Sequence, residues 1–291
     1  MRILFDADSM VYGCGFAAQK TFYDWAASNG DEYVEGISTS REDMDATEAM
    51  LPDGWKMEAV VARAEPEPVE NALALVKRQI LRIENKLDGD GYIFDSVECF
   101  ITGKGNHRDE IAKIKPYKGN RLALEKPVHY GAIRRYLMSR WKATKVDGHE
   151  ADDEVACIAA SLDYDPSRVM IVSQDKDLRT VPGLLFNYRR NSYELLTEKQ
   201  ALVNFYRQMI TGDATDNVVG CYRSGEKKAE QLVTEDMTEK VMYEWVLAEF
   251  KESLSRKGCP YAGRTAESVA LETGQLLHMS RYRGDIWRAP E

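Results

Sequence analysis

The sequence predicts an α/β fold in which helices flank a mostly parallel sheet. Short apolar runs, typical of buried strands, alternate with helical patterns over the first two thirds of the chain. From residue 198 onwards the pattern is almost entirely helical. The 291 residues are 44% hydrophobic, which is enough to bury a substantial core. We therefore expect a large α/β domain followed by a helical region, with the boundary near residue 200.

The predicted elements follow in chain order. A buried strand covers 2–6 and a helix covers 9–27. An acidic insertion at 30–66 holds a hairpin with arms at 33–37 and 55–62. Further on, the patterns predict helices at 67–87, 128–141 and 150–162, strands at 96–102, 143–146 and 168–174, and a hairpin with arms at 184–188 and 192–196.

Nine acidic residues fall in four tight groups at the ends of apolar runs. The groups are Asp6 and Asp8; Glu150, Asp152 and Asp153; Asp175 and Asp177; and Asp213 and Asp216. Ligands of parallel sheets bind beyond the carboxyl ends of the strands, so we expect these groups to converge. Their repulsion requires a cation, and hard oxygen ligands select Mg²⁺ or Mn²⁺. Helix capping explains the acids at 150–153 equally well, so the interpretation depends on convergence.

Charge is segregated along the chain. The net charge is −9, but residues 103–145 hold twelve Lys/Arg against three acids, a local +9 that leaves −18 elsewhere. Binding of a phosphate backbone needs only one positive surface, so a nucleic-acid partner remains compatible with the acidic total. A basic run is also typical of a solvated helix face. The interleaved string Pro116-Tyr117-Lys118-Gly119-Asn120-Arg121 favours the nucleic-acid interpretation.

Composition also indicates where the protein works. No apolar run approaches the ~20 residues that cross a bilayer, so no membrane partner is expected. The N-terminus shows no export signal. The five scattered cysteines have no metal-ligand spacing and suit reduced thiols. We expect a cytoplasmic protein.

The ordered set of motifs resembles the flap endonuclease / 5′→3′ exonuclease family, most closely the stand-alone exonucleases of tailed bacteriophages. The motifs that carry it are Asp6, Tyr117-Lys118-Gly119-Asn120-Arg121, Glu150-Ala151-Asp152-Asp153, Asp175-Lys176-Asp177, Gly212-Asp213-Ala214-Thr215-Asp216-Asn217 and Gly220 to Ala229. Each motif is weak alone, and their order is the specific signal. The resemblance runs from about residue 2 to about residue 233, with the insertion at 30–66 outside it.

This resemblance implies a PIN-like nuclease core over 1–200 with a helical arch at about 104–135. It implies a helical DNA-binding region over 201–291 that contains a helix–three-turn–helix element at about 211–233. The implied activity is metal-dependent 5′→3′ exonuclease or flap endonuclease cleavage near DNA 5′ ends, with RNA in hybrids as a further substrate. The implied role is phage DNA replication, recombination or primer removal. The expected partner is DNA with a 5′ end, flap or nick, bound by a monomer in the host cytoplasm.

The resemblance also assigns residues. One Mg²⁺ is expected at Asp6, Glu150 and Asp152, and a second at Asp153, Asp175, Asp177, Asp213 and Asp216, with Mn²⁺ as an alternative ion. Lys118 and Arg121 match catalytic basic residues at the scissile phosphate. The expected DNA contacts are Lys104, Arg108, Lys113, Lys115, Tyr117, Gly220, Gly225, Lys227 and Lys228. A K⁺ ion is expected at the helix–three-turn–helix element.

Two positions depart from the family pattern. Gly103 stands where the family usually has an aspartate, so one metal contact is missing and Asp8 is the candidate replacement. Arg223 replaces the middle glycine of a Gly-x-x-Gly-x-Gly turn. Because arginine is strained at positive φ, we expect a reshaped turn there.

Two other functions compete with this one. Phe5-Asp6-Ala7-Asp8-Ser9 resembles the nucleophile motif of haloacid-dehalogenase-like phosphohydrolases, in which Asp6 would attack covalently. That function leaves the acids at 150–153 and the 116–121 string unexplained. The missing aspartate at Gly103 also allows a DNA-binding relative that has lost catalysis.

Overall fold

The computed structural model describes residues 1–121, 125–261 and 263–291. Its strands are β1 (Arg2–Asp6), β2 (Gln19–Ser28), β3 (Tyr33–Ser38), β4 (Lys56–Pro66), β5 (Val97–Asn106), β6 (Thr144–Gly148), β7 (Val169–Val172), β8 (Gly183–Asn187) and β9 (Ser192–Leu196). Its helices are α1 (Asp8–Ala17), α2 (Arg41–Ala49), α3 (Val69–Gly89), α4 (Arg108–Ile111), α5 (Tyr130–Arg140), α6 (Ala151–Ser161), α7 (Glu198–Thr211), α8 (Glu226–Leu232), α9 (Glu239–Ser255) and α10 (Ala266–Leu277).

The chain divides into two compact units. The larger unit comprises Met1–Ser9, Ile83–Glu125 and Leu137–Glu291, and the smaller comprises Met10–Arg82 and Lys126–Tyr136. The boundary predicted near residue 200 falls inside the larger unit, at the start of α7. In the described ranges, no helix is long and apolar enough to cross a membrane.

A six-stranded sheet organises the larger unit. Its strand order is β6-β5-β1-β7-β8-β9. The first five of these strands run parallel, and β9 is antiparallel to β8. Because β1 pairs on both sides and is covered on both faces, Ile3, Leu4 and Phe5 are fully buried, which explains the continuous apolar run. The predicted mostly parallel α/β sheet is confirmed.

Helices cover this sheet and build a second core. Val155 and Ala159 of α6 pack in a cluster with Leu4 of β1 and Ile171 of β7. Helices α7 to α10 share their own apolar cluster, whose most buried large side chains include Tyr206 and Phe250. The predicted helical pattern after residue 198 and the hairpin of β8 and β9 are both present.

The smaller unit corrects two sequence predictions. The helix predicted over 9–27 ends at Ala17, and 19–28 forms β2, because Thr21, Tyr23 and Trp25 carry the branched and aromatic side chains that favour strands. The arms of the hairpin predicted in the insertion do not pair with each other. Strands β3 and β4 both pair with β2, in the order β3-β2-β4, so the missed strand is the centre of this sheet.

The predicted arch is only partly helical where the structure describes it. Residues 104–121 contain the end of β5, the single turn α4 and a 3₁₀ turn at Gly119–Arg121, and α5 begins at Tyr130. Residues 122–124, at the middle of the predicted arch, lie outside the described residues. The arch therefore stays a prediction.

Candidate active site

The acidic groups lie at the carboxyl edge of the parallel strands. Asp6 ends β1, Glu150 follows β6, and Asp175 and Asp177 follow β7. The Ser173 hydroxyl joins two of these groups, because it donates to Asp6 Oδ2 at 3.3 Å and accepts the Asp175 N–H at 3.0 Å. The ends of β1 and β7 are therefore held together at their carboxylates.

The acids at these strand ends are poorly compensated. Burial, together with Asp8 and Asp175, raises the pKa of Asp6 to about 8. Burial, together with Asp175 and Asp213, raises the pKa of Asp177 to about 7. Burial also raises the pKa of Asp175. Within residues 1–121, 125–261 and 263–291, the ion pairs do not include Asp6 or Asp175.

The first turn of α6 adds three acids. The Thr102 hydroxyl accepts the Ala151 N–H at 2.9 Å, which fixes the start of this helix against β5. Oxygen atoms of Glu150, Asp152 and Asp153 lie within 4.8 Å of one another. Burial, Glu150 and Asp153 raise the pKa of Asp152 well above its ordinary value. We call Asp6, Asp152, Asp175 and Asp177 the raised-pKa acids.

Basic and phenolic groups of the 116–121 segment reach into the same cluster. Lys118 Nζ pairs with Glu150 and lies 3.5 Å from Asp216 Oδ2, and Arg121 pairs with Asp216 Oδ1. The Tyr117 hydroxyl lies 2.7 Å from Glu150 Oε2 and 2.8 Å from Asp216 Oδ2. Lys118 takes a left-handed backbone conformation with φ 51°, which is uncommon for a non-glycine residue and is found at functional sites.

The loop after α7 presents Asp213 and Asp216. It closes through reciprocal backbone hydrogen bonds between Asp213 and Val218 at 3.0 and 2.8 Å. Gly212 and Gly220 cross closely beneath it: a Cβ on Gly212 would lie 2.5 Å from Gly220 N, and one on Gly220 would lie 2.3 Å from Gly212 N. Gly220, predicted as a DNA contact, is thus required for the shape of the acidic loop.

Protein cations neutralise a second set of carboxylates, which we call the paired acids: Glu150, Asp153, Asp213 and Asp216. Burial alone would raise the pKa of Glu150, but Lys118 and Arg108 outweigh burial and lower that pKa. Lys176 Nζ lies 2.8 Å from Asp213 Oδ2 and lowers the pKa of Asp213 against its burial. The two sets interleave within one site.

Gln208 of α7 links the two sets. Its amide Nε2 donates to Asp177 Oδ1 at 2.6 Å and lies 3.5 Å from Asp213 Oδ2. Its Oε1 is buried and has no hydrogen-bond partner among the described residues. An amide with one satisfied end and one open buried acceptor at a carboxylate cluster is suited to accept from water bound there.

Arg108 corrects a sequence prediction. It was expected to contact DNA, but its side chain is 1% exposed and forms a bidentate pair with Asp153. A basic run does not reveal which of its members points inward, and Arg108 lies in the single turn α4 beneath the acidic helix.

Tyr117 and Gly220 lie at the acidic cluster, and most of the other predicted DNA contacts lie at the surface. Lys104, Lys113, Lys115, Gly225 and Lys227 are exposed. Lys228 is partly engaged, since its Nζ lies 3.6 Å from the buried carboxylate of Glu249. Their role in DNA binding stays a prediction.

Asp147 explains the departure at Gly103. A Cβ on Gly103 would lie 2.0 Å from Asp147 Oδ1 and 2.5 Å from Val146 O, so no aspartate fits there without moving β6. Asp147 Oδ1 accepts the Lys104 N–H at 2.7 Å. Asp8 Oδ2 accepts the Thr102 N–H at 3.0 Å, which places the Asp8 carboxylate beside this position.

Arg223 takes a left-handed backbone conformation in its turn. Its φ is 62°, a value that arginine rarely adopts, and the expected reshaping of the turn relative to the family stays a prediction. The exposed side chain lies over the Tyr222 ring, with 5.1 Å between the guanidinium carbon and the ring centroid. That cation–π contact offsets part of the cost of the left-handed conformation.

Comparison with known proteins identifies relatives of the chain. It is 27% identical over 172 residues to a 5′-3′ exonuclease of Buchnera aphidicola and 30% identical over 145 residues to a 5′-3′ exonuclease of Mycoplasmopsis pulmonis. The chain is related to the 5′→3′ exonucleases. This relationship supports the 5′→3′ exonuclease family inferred from the motifs. The matches span 59% and 47% of those two proteins.

The comparisons with family models and solved structures give weaker evidence of relationship. No protein-family model matches the chain. The zinc-bound T5 5′-exonuclease is a similar solved structure, with a TM-score of 0.39 and 15% identity over 70% of this chain and 90% of that chain. The narrower resemblance to stand-alone phage exonucleases stays a prediction.

The site contains residues that the sequence did not single out as functional. Lys176 stood inside a recognised motif, between two acids, and its position was a usable signal for an internal counter-ion. Ser173 and Gln208 had no such signal, because their roles depend on contacts across 167 and 31 positions of sequence.

Proposed function

We propose that the chain is a divalent-metal-dependent 5′→3′ nuclease that hydrolyses phosphodiester bonds near DNA 5′ ends. The observation that carries the proposal is the pairing of Lys118 and Arg121 with carboxylates from two separate chain segments, Glu150 and Asp216, inside the acidic cluster. Such a site can hold cations and a phosphate at the same place. Its kinship with the 5′→3′ exonucleases gives that arrangement its reaction class.

The residues fit divalent ions. Burial and mutual repulsion raise the pKa values of Asp6, Asp152, Asp175 and Asp177, so a cation at these oxygens would remove a large unfavourable interaction. Hard carboxylate oxygens suit Mg²⁺ and Mn²⁺. We propose Mg²⁺ held mainly by the raised-pKa acids and Asp8, with Glu150 and Asp216 at their border. Divalent ions held by these residues would supply activation of a water and stabilisation of the leaving oxygen.

The chain's own residues then divide the remaining work. Lys118 and Arg121 place positive charge where a phosphate gains charge during displacement. The Tyr117 hydroxyl lies between the Glu150 and Asp216 carboxylates and donates its single hydrogen to one of them at a time. Exposed lysines of the basic run, among them Lys113 and Lys115, supply the salt-dependent part of DNA affinity.

Finer features are proposals on the same footing. A free 5′ end, flap or nick is the proposed DNA feature, and a monomer in the cytoplasm is the proposed working state. K⁺ at the 211–233 element remains proposed from the resemblance. The haloacid-dehalogenase-like function is not favoured, because the relatives are exonucleases.

Cleavage of a 5′-labelled duplex with a single-stranded 5′ flap tests the proposal. We expect short labelled products with Mg²⁺ and none with EDTA, and no cleavage of a covalently closed single-stranded circle. Binding of the flap DNA without product at any Mg²⁺ or Mn²⁺ concentration would show a DNA-binding relative that has lost catalysis. Release of inorganic phosphate alone, from a phosphomonoester, would show a phosphohydrolase.

A further inference from the structure

Arg108 is a fully satisfied buried cation. Its guanidinium has five N–H donors, and five acceptors surround it. Nε donates to Leu276 O at 2.8 Å, Nη2 to His278 O at 2.7 Å and Asp153 Oδ1 at 2.9 Å, and Nη1 to Asp153 Oδ2 and, at 3.5 Å, to Glu150 Oε2. No donor is left for a DNA phosphate.

Asp153 is equally satisfied. A carboxylate accepts at about four lone-pair positions. Oδ1 accepts from Arg108 and from the Ser280 N–H at 3.2 Å, while Oδ2 accepts from Arg108 and from the Glu150 N–H at 3.4 Å. The side chain is 0% exposed, and Arg108 lowers its pKa against the effect of burial.

Asp152 is the opposite case on the same helix turn. Its Oδ1 accepts the Asp153 N–H at 2.7 Å, its side chain is only partly buried, and the ion pairs of the described ranges do not include it. Proximity alone groups Asp153 with Glu150 and Asp152 as a possible metal cluster. Asp153 differs from Asp152 because protein donors already occupy both of its carboxylate oxygens.

We propose that Arg108 and Asp153 form a fixed internal ion pair that positions the start of α6, so that Asp153 is not a metal ligand and Arg108 is not a DNA contact. The pair also ties that helix to the chain after α10, through the backbone of Leu276, His278 and Ser280. The proposal rests on the proposed function, since it assigns Glu150 and Asp152 the metal side of the turn. Both partners are positioning residues.

Replacing both partners distinguishes positioning from metal ligation. Breaking a buried pair at one partner is strongly destabilising, whereas exchanging both for apolar side chains of similar volume is often neutral. We expect Asp153→Asn to lower the Tm by about 10 °C and to weaken Mn²⁺ binding by about tenfold through misplaced neighbours. The double variant Arg108→Met/Asp153→Leu should recover most of both losses.

The matched control is Arg108→Met/Asp152→Leu, which leaves Asp153 unpaired. We expect it to show both the lower Tm and the weaker Mn²⁺ binding. A double variant Arg108→Met/Asp153→Leu that binds Mn²⁺ no better than Asp153→Asn would overturn the proposal, because a lost ligand cannot be restored by packing. If Asp153→Asn yields no folded protein, the double variant is compared with wild type. Mn²⁺ affinity within about tenfold then supports positioning, and a loss beyond about a hundredfold contradicts it.

The double variant Arg108→Met/Asp153→Leu also tests the DNA side, because it removes the guanidinium without leaving an unpaired buried charge. We expect its flap-DNA affinity in EDTA, and the dependence of that affinity on salt, to stay unchanged; Arg140→Met, at an exposed arginine, controls for the loss of one arginine. A salt slope reduced by about one in the double variant would show a phosphate contact at Arg108 and overturn that half of the proposal. Mn²⁺ binding and Tm are read without cleavage, so failure of the proposed nuclease activity would be seen separately.

Discussion

The raised-pKa acids and the paired acids occupy one site but are neutralised in different ways. Lysine or arginine side chains pair with Glu150, Asp153, Asp213 and Asp216. Asp6, Asp152, Asp175 and Asp177 keep raised pKa values, Asp177 even though Lys176 Nζ lies 3.8 Å from its Oδ1. An added cation should therefore bind most favourably beside the carboxylates for which the chain supplies too little positive charge.

We expect the largest effect from a comparison of two alanine substitutions, one in the raised-pKa acids and one in the paired acids. Asp175→Ala should reduce flap cleavage by about 10³-fold or more and weaken Mn²⁺ binding, because a raised-pKa acid is a direct ligand in this account. Asp213→Ala should weaken Mn²⁺ binding less, since four donors already surround its carboxylate. Single-turnover cleavage and calorimetric Mn²⁺ titration measure both. Equal losses of Mn²⁺ affinity in the two variants would contradict the proposal that the raised-pKa acids are the main metal ligands.

Lys118→Ala removes the nearest cation from one of the paired acids, Glu150, and leaves it less compensated, like the raised-pKa acids. Glu150 loses its nearest cation, and the site loses charge at the phosphate, so we expect cleavage to slow by about 10²-fold or more with flap-DNA affinity changed only slightly. Lys257→Ala, at an exposed lysine far along the chain, is the control. An unchanged single-turnover rate would remove Lys118 from the catalytic centre.

Gln208→Ala tests the link between the sets. Without its amide, Asp177 loses a 2.6 Å hydrogen bond, and outer-shell losses of this kind typically weaken metal binding by about tenfold. Asn204→Ala, one turn earlier on the same helix, removes only a bond to Arg179 O and should leave Mn²⁺ binding as it is. If both variants bind Mn²⁺ alike, Gln208 has no part in holding Asp177.

The smallest expected effect concerns pH. The folded-state pKa values of Asp6, about 8, and Asp177, about 7, lie above those of an unfolded aspartate. The metal-free protein therefore loses stability as pH rises from about 4 toward 8, because folding disfavours the ionised forms. Mg²⁺ binds those forms, so its stabilising effect on the Tm should be about 3 °C larger near pH 8 than near pH 6. A larger effect near pH 6 would contradict the raised values.

Much of this site could be predicted from the sequence because its acids follow strands and keep fixed spacings. Asp6, Glu150 and Asp175 were expected at one edge of the sheet because each follows a predicted parallel strand, and the structure brings them there. Arg108 and Asp153 were assigned to the DNA and metal sides, because a sequence gives residue type and spacing but not burial. Strand β2 was missed because its ten residues follow a helix without a glycine or proline between them.

Anomalous X-ray density from Mn²⁺-soaked crystals would locate the metal ions. We predict Mn²⁺ peaks within about 2.2 Å of oxygens of the raised-pKa acids, with the Arg108–Asp153 pair intact beside them. A peak bound by Asp153 with Arg108 displaced, or the lack of any peak at Asp6 and Asp175 in cleavage-competent protein, would contradict it.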